Sequence, residues 1–177
     1  AALAEVGVPI ATTGLPIARP GSAADETELF KRIADYYARL CVRAEAAGIR
    51  LATHSPWPPN RLGWMWGARE FARLFADVPS PANGYLYDNA IHHMVGDDPV
   101  AAIEQFGERI VFCHIRDVRK SSGEGAAGTG YDEVFPGTGE IRFRPVFAAL
   151  RRIGYQGVIT PEHFPIIPGD FSEGAAT

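Results

Sequence analysis

Short apolar runs alternating with amphipathic helical stretches constrain this chain more than any other feature. The runs cover residues 49–53, 84–87, 109–113 and 157–160, with a further one at 8–11. Each is too short for a helix and suits a buried strand. The stretches between them carry helical spacing. The first places Leu29, Ile33, Tyr36, Tyr37, Leu40 and Ala44 on one stripe, with Ser22 or Asp25 as N-cap and Gly48 as its stop. Residues 67–76 turn Phe71, Leu74 and Phe75 inward, and residues 99–106 start after Asp97 or Asp98 with Pro99 at the first position. Residues 144–153 turn Val146, Phe147 and Leu150 inward before Gly154. Such alternation predicts parallel strands joined by right-handed crossovers, in one α/β domain over residues 1–177.

The polar residues that follow the strands carry the chemistry. His54, Asp88, His114 and Glu162 each stand immediately after a predicted strand. In a parallel sheet all strand C-termini lie on one side, so these four converge on one face. Two imidazoles with two carboxylates suit a divalent ion such as Mn²⁺, Mg²⁺ or Fe²⁺. The competing reading is that each residue merely caps a strand.

Arg116 lies two residues beyond His114 and shares its face by the period-two rule. It either grips a substrate carboxylate as a bidentate fork or forms a salt bridge with Asp117 or Glu133. His92 and His93 follow Asp88 by four and five residues; His92 is a candidate substrate contact, and a solvated loop pair is the alternative. His163 is a candidate general acid or base, or a ring held by backbone hydrogen bonds. The glycine-rich stretch 121–140 has no periodicity and reads either as a lid that brings Tyr131, Asp132 and Glu133 to the site or as a disordered excursion. Trp57, Trp64 and Trp66, among Pro56, Pro58 and Pro59, form either an apolar sugar wall or core. Cys113 faces away from His114 and reads as a buried structural thiol.

Composition excludes several classes. With 21 acidic and 17 basic residues the net charge is -4, which argues against nucleic acid as a partner. No apolar run approaches the ~20 residues of a membrane span, and the N-terminus lacks a signal-peptide pattern, so a cytoplasmic protein is expected. The two cysteines, Cys41 and Cys113, provide no disulfide framework and no zinc spacing. No phosphate-binding glycine motif opens a helix.

Four segments together resemble the mannonate dehydratase family. They are Gly48-Ile-Arg-Leu-Ala-Thr-His54 with Ser-Pro-Trp-Pro-Pro59, and Val111-Phe-Cys-His114-Ile-Arg116-Asp-Val118. The others are Tyr131-Asp-Glu133 with Gly139-Glu-Ile, and Ile153-Gly-Tyr-Gln-Gly157 through Pro161-Glu162-His163-Phe-Pro165. The resemblance implies a xylose-isomerase-like TIM barrel and Mn²⁺-assisted removal of water from D-mannonate, a sugar acid, to give 2-keto-3-deoxygluconate. It implies His54, His114 and Glu162 as metal ligands, Arg116 as a substrate-binding arginine and Tyr131 as an active-site tyrosine. In this setting Glu133 and His163 are the further proton-moving groups, and His92 and Trp57 the further substrate contacts. The chain departs from the family where Asp88 stands for a cysteine ligand, Glu162 for an aspartate and Pro56-Trp57 for an Asp-Asp pair. A metal-dependent sugar isomerase or epimerase is therefore the alternative enzyme, and an inactive barrel remnant the alternative of another class.

A complete barrel has eight strands and roughly 250 residues. Four or five predicted strands in 177 residues match the last four to five βα units, a partial TIM (β/α)8 barrel lacking about its first three. Its opening exposes strand edges and apolar core. The expectation is a homo-oligomer that covers the opening, or impaired activity.

Overall fold

Five parallel strands cross the main sheet in the order in which they occur along the chain. The computed structural model describes residues 2–15, 23–56, 65–125 and 128–162. After a single helical turn, α1 (Ala2–Glu5), come β1 (Ile10–Gly14), α2 (Ala23–Ala46), β2 (Arg50–His54), α3 (Ala68–Asp77) and β3 (Asn83–Asp88). Then follow α4 (Asn89–Val95), α5 (Pro99–Phe106), β4 (Ile110–Ile115), β5 (Asp117–Lys120), β6 (Tyr131–Val134), α6 (Phe143–Arg152) and β7 (Ile159–Pro161). The sheet runs β1-β2-β3-β4-β7, and β5 with β6 forms a separate antiparallel pair. Sequential order means the sheet is singly wound, with its covering helices on one face and the other face left as a barrel interior.

Strand parity divides the side chains between the two faces, with one break in β4, where the register against β3 shifts between Tyr85 and Leu86. Leu51, Tyr85, Tyr87, Ile110, Cys113 and Ile115 join the large core beneath α2, α3, α5 and α6. Ala52, Leu86 and Val111 form a smaller cluster with Ile10 and Phe112, on the inner face. His54, Asp88 and His114 each follow an inner-face residue by two positions, so the same pleat points them inward. Parallel pairing sets Gly14 beside His54, Asp88 beside His114 and His114 beside Thr160. Cys113 packs on the helix side, is fully buried and has its thiol pushed up by burial, which suits a structural role.

The helix-side core is aromatic. Phe71 sits 4.3 Å from Tyr85, 5.6 Å from Trp66 and 6.0 Å from Phe75, ring to ring. Trp66 also stacks on Phe30 at 5.0 Å, so this tryptophan is core and not a sugar wall. Trp57, Trp64 and His163 lie outside the described residues.

Three expectations are corrected. Tyr36 and Phe147 were expected inward but are 53% and 41% exposed, because α2 and α6 bury narrower stripes than their spacing suggests. His92 and His93, for which a solvated loop pair was the alternative, lie in α4, which Asp88 caps at one end and Gly96 closes at φ 88°. The stretch 121–140 is neither an unstructured lid nor a disordered excursion throughout: Tyr131–Val134 pairs with Asp117–Lys120 in a hairpin. Four-residue strands are too short to show periodicity, and Gly125, Gly128 and Gly130, all at positive φ, turn the chain between them.

Phe71→Ala should lose about 3–5 kcal/mol of unfolding free energy, as large aromatic truncations in cores do. Phe147→Ala should change it by less than about 0.5 kcal/mol. Urea unfolding followed by fluorescence checks both, and equal losses would refute this assignment of the core.

Candidate metal centre

Asp88 closes β3 and divides its two oxygens between structure and site. Its Oδ1 accepts from Ala90 N at 2.9 Å and Ile91 N at 3.1 Å, capping α4. Such a cap is worth about 1 kcal/mol, and it fixes the carboxylate plane. Oδ2 is left facing the barrel interior, where Arg116 Nε donates to it at 2.8 Å and Arg116 Nη2 also makes contact. Next to Asp88, the Asn89 side chain donates to Arg116 O at 2.8 Å and accepts from Arg116 N at 3.0 Å, tying the end of β3 to the end of β4.

His54 closes β2, and its tautomer follows from one contact. Nδ1 lies 2.6 Å from Ser55 O, and a carbonyl only accepts, so Nδ1 carries the proton. Its Nε2 points inward, 3.5 Å from Asp88 Oδ2 and 3.7 Å from Glu162 Oε2. This nitrogen is buried without a hydrogen-bond partner of acceptable geometry. His114, near the end of β4, holds Nδ1 2.6 Å from Glu162 Oε2, closer than their alignment as a hydrogen bond warrants. Glu162 follows β7 directly, and its backbone N donates to Ile115 O at 3.2 Å.

One ligand atom from each of His54, Asp88, His114 and Glu162 lies within 4.8 Å of every other. Ligands of a single octahedral ion at about 2.1–2.3 Å stand ~3 Å apart when adjacent and ~4.4 Å when opposite, so the set fits one divalent cation. The charges fit too. Arg116, 1% exposed, contacts three carboxylates: Asp88, Glu133 at 2.9 Å and Glu162 at 3.4 Å. One guanidinium against three carboxylates leaves a formal deficit of two positive charges, which a divalent ion balances.

The carboxyl groups stay ionised in spite of their surroundings. Burial alone would raise Asp88, but the Arg116 guanidinium and the His54 imidazole hold it well below the usual carboxylate range. Glu162 follows the same pattern: burial pushes up, while His114 and Arg116 pull its carboxyl down by more. Arg116 is raised above its ordinary value, because the contacting carboxylates outweigh its burial.

The remaining candidate residues divide. Tyr131 and Glu133 share one face of β6. Glu133 reaches Arg116, while the Tyr131 ring packs 5.6 Å from that of His93. His92, expected at the substrate, is instead fully buried. Its Nε2 is 2.7 Å from Tyr85 Oη and its Nδ1 2.9 Å from Asp97 Oδ2, because the turn of α4 sends it beneath the helix. Arg116 is engaged with protein carboxylates, so the salt bridge to Glu133 is the observed alternative. Asn89 was missed by sequence reading. Its position just after Asp88 was the one available signal.

Sequential parallel strands with converging polar groups at their C-terminal ends define the class: a (β/α) barrel with its site on the usual face. Residues 1–176 match the sequence model of the xylose isomerase-like TIM barrel, and the chain belongs to that family. It is 26% identical over 161 residues to a mannonate dehydratase of Rhizobium meliloti (strain 1021), a match covering 84% of this chain and 40% of that protein. The crystal structure of mannonate dehydratase from Streptococcus suis serotype 2 superposes with a TM-score of 0.76 at 20% identity, over 95% of this chain and 59% of that one. The IOLI protein, solved with a zinc atom bound, superposes with a TM-score of 0.72 at 21% identity, over 92% and 56%. The chain thus spans less than half the length of the curated relative and a little over half of the solved chains.

The lowered carboxyl values give a pH dependence with a defined sign. Groups whose folded pKa is depressed contribute stability above their unfolded values, about 4, and that stability is lost as pH falls through the lowered values. In Arg116→Met, burial of Asp88 and Glu162 is no longer offset, so the acid limb of a plot of melting temperature against pH should move to higher pH. The variant should also lose about 3–5 kcal/mol near neutral pH, because carboxylates stay buried without their partner. Superimposable acid limbs would contradict this account.

Proposed function

We propose that the chain forms the metal-holding part of a sugar-acid dehydratase of the mannonate dehydratase type, converting D-mannonate to 2-keto-3-deoxygluconate. The observation that carries this reading is the convergence of His54, Asp88, His114 and Glu162, with the buried Nε2 of His54 facing two carboxylate oxygens and a second imidazole beside them. Two imidazoles and two carboxylates converging on one point suit a divalent cation. Residues His54, Asp88, His114 and Glu162 would hold it, with Mn²⁺ preferred for a mixed nitrogen and oxygen set. When bound, the ion supplies Lewis-acid polarisation of the substrate carboxylate and its neighbouring hydroxyl.

The protein's own groups do the rest. β-Elimination needs one base at the carbon next to the carboxylate and one acid at the departing hydroxyl. Tyr131 and Glu133, on one face of β6, and His163 after Glu162 are the groups available for these transfers. Arg116 keeps Asp88 and Glu162 ionised, which preserves them as donors to the ion. The match to curated mannonate dehydratases supports the choice of substrate. A second reading, a metal-dependent sugar isomerase or epimerase, is favoured by Asp88 standing where the dehydratase pattern carries cysteine. A homo-oligomer forms part of the proposal, since β1 and β7 each have one unpaired edge among the described residues.

Metal analysis of purified protein should find one divalent ion per chain, and His114→Ala should weaken Mn²⁺ binding by about tenfold or more. Unchanged binding in that variant would contradict the site. Incubation with D-mannonate should release a 2-keto-3-deoxy acid; a ketose or an epimer without loss of water would select the second reading.

A further inference from the structure

Asp117 follows Arg116 directly and is fully buried, yet it is not one of the four converging side chains. Its carboxylate accepts four backbone N–H groups. Oδ1 takes Val118 N at 3.0 Å and Ile141 N at 3.1 Å, while Oδ2 takes Gly137 N and Gly139 N at 2.8 Å each. A carboxylate has about four lone-pair sites, so this one is saturated. Three of the four donors lie beyond β6, so the carboxylate staples the segment leaving β6 back onto the start of β5. Glu140 N adds a further bond to Val118 O at 2.8 Å. The fit admits no side chain at Gly139, where a Cβ would overlap the Asp117 carboxylate and the Val118 carbonyl oxygen.

What the staple encloses gives it a role. β6 runs between the two stapled ends, with Glu133 opposite Val118 in register. From there Glu133 holds Arg116 Nη1 at 2.9 Å, while Arg116 Nε and Nη2 engage Asp88. Val118 packs with Ala90 and Ile141 in a small cluster that docks the hairpin on α4. We propose that Asp117 is a positioning residue of the metal centre: it fixes the hairpin so that Glu133 restrains the Arg116 guanidinium in the orientation that serves Asp88 and Glu162. This rests on reading the four converging side chains as a metal centre, and it concerns how that centre keeps its shape.

The test compares the full chain with Asp117→Asn, Glu133→Ala and the double variant. Asparagine offers one oxygen for two of the four N–H groups and sets its own N–H against the other two. The first readout is hydrogen exchange at Arg116 Nε–H by NMR, and the second is Mn²⁺ affinity by calorimetry. Asp117→Asn should speed Nε–H exchange and weaken Mn²⁺ binding, each by roughly tenfold. Glu133→Ala should do the same, and the double variant should add little, because both act through Arg116. Gly139→Ala, which displaces the same segment without changing charge, reads the same outcome should Asp117→Asn fail to fold. Nε–H exchange at the wild-type rate in folded variants, or additive effects in the double variant, would overturn the proposal. Wild-type protein that binds no Mn²⁺ would contradict the metal reading, and the Nε–H exchange rates would still decide the role of Asp117.

Discussion

The Arg116 guanidinium, enclosed by Asp88, Glu133 and Glu162, is the interaction on which the rest of the structure depends. Removing a charge from water is costly unless it is paired and hydrogen-bonded, and a buried pair broken on one side loses more than it contributes intact. Here one cation joins three elements. Asp88 arrives from the end of β3, Glu162 from the end of β7, and Glu133 from the hairpin that leaves the sheet after β4. The carboxylates are thereby kept ionised within reach of two imidazoles. Without Arg116 the same burial would favour their protonated forms.

That arrangement is possible because the sheet is singly wound. Sequential parallel pairing brings the ends of β2, β3, β4 and β7 to one edge, and strand pleating turns His54, Asp88 and His114 to the face without helices. The aromatic core beneath α3 and α5 holds the other face, so the strands that end in these side chains are fixed from behind. α4 connects the two halves of the design. Its cap consumes one Asp88 oxygen, Asn89 at its first position locks the backbone of Arg116, and His92 anchors it to Tyr85 and Asp97. The histidine serves the site by holding a helix in place.

Much of this was legible in the sequence, for physical reasons. Parallel strands terminate in one plane, so a polar residue after each apolar run is a statement about position as well as composition. That is why His54, Asp88, His114 and Glu162 emerge from spacing alone. Arg116 was placed on the right face by period two, but its partner was not decided, because Glu133 approaches through a hairpin whose strands are four residues long. Local pattern carries no signal for such an element. His92 and His93 are adjacent and chemically identical in sequence. Only the turn of α4 sends the first under the helix and leaves the second against Tyr131. Asp117 was read only as an ion-pair partner for Arg116, since nothing in sequence distinguishes that role from a carboxylate saturated by backbone N–H groups.

Everything proposed for this chain requires the four side chains at the strand ends to form a single cation site. Anomalous diffraction from crystals grown with Mn²⁺ tests it most directly. The account predicts one strong peak at about 2.0–2.3 Å from a nitrogen of His54, a nitrogen of His114 and an oxygen of each of Asp88 and Glu162. A peak elsewhere, or no peak at a concentration that saturates other Mn²⁺ proteins, would contradict it.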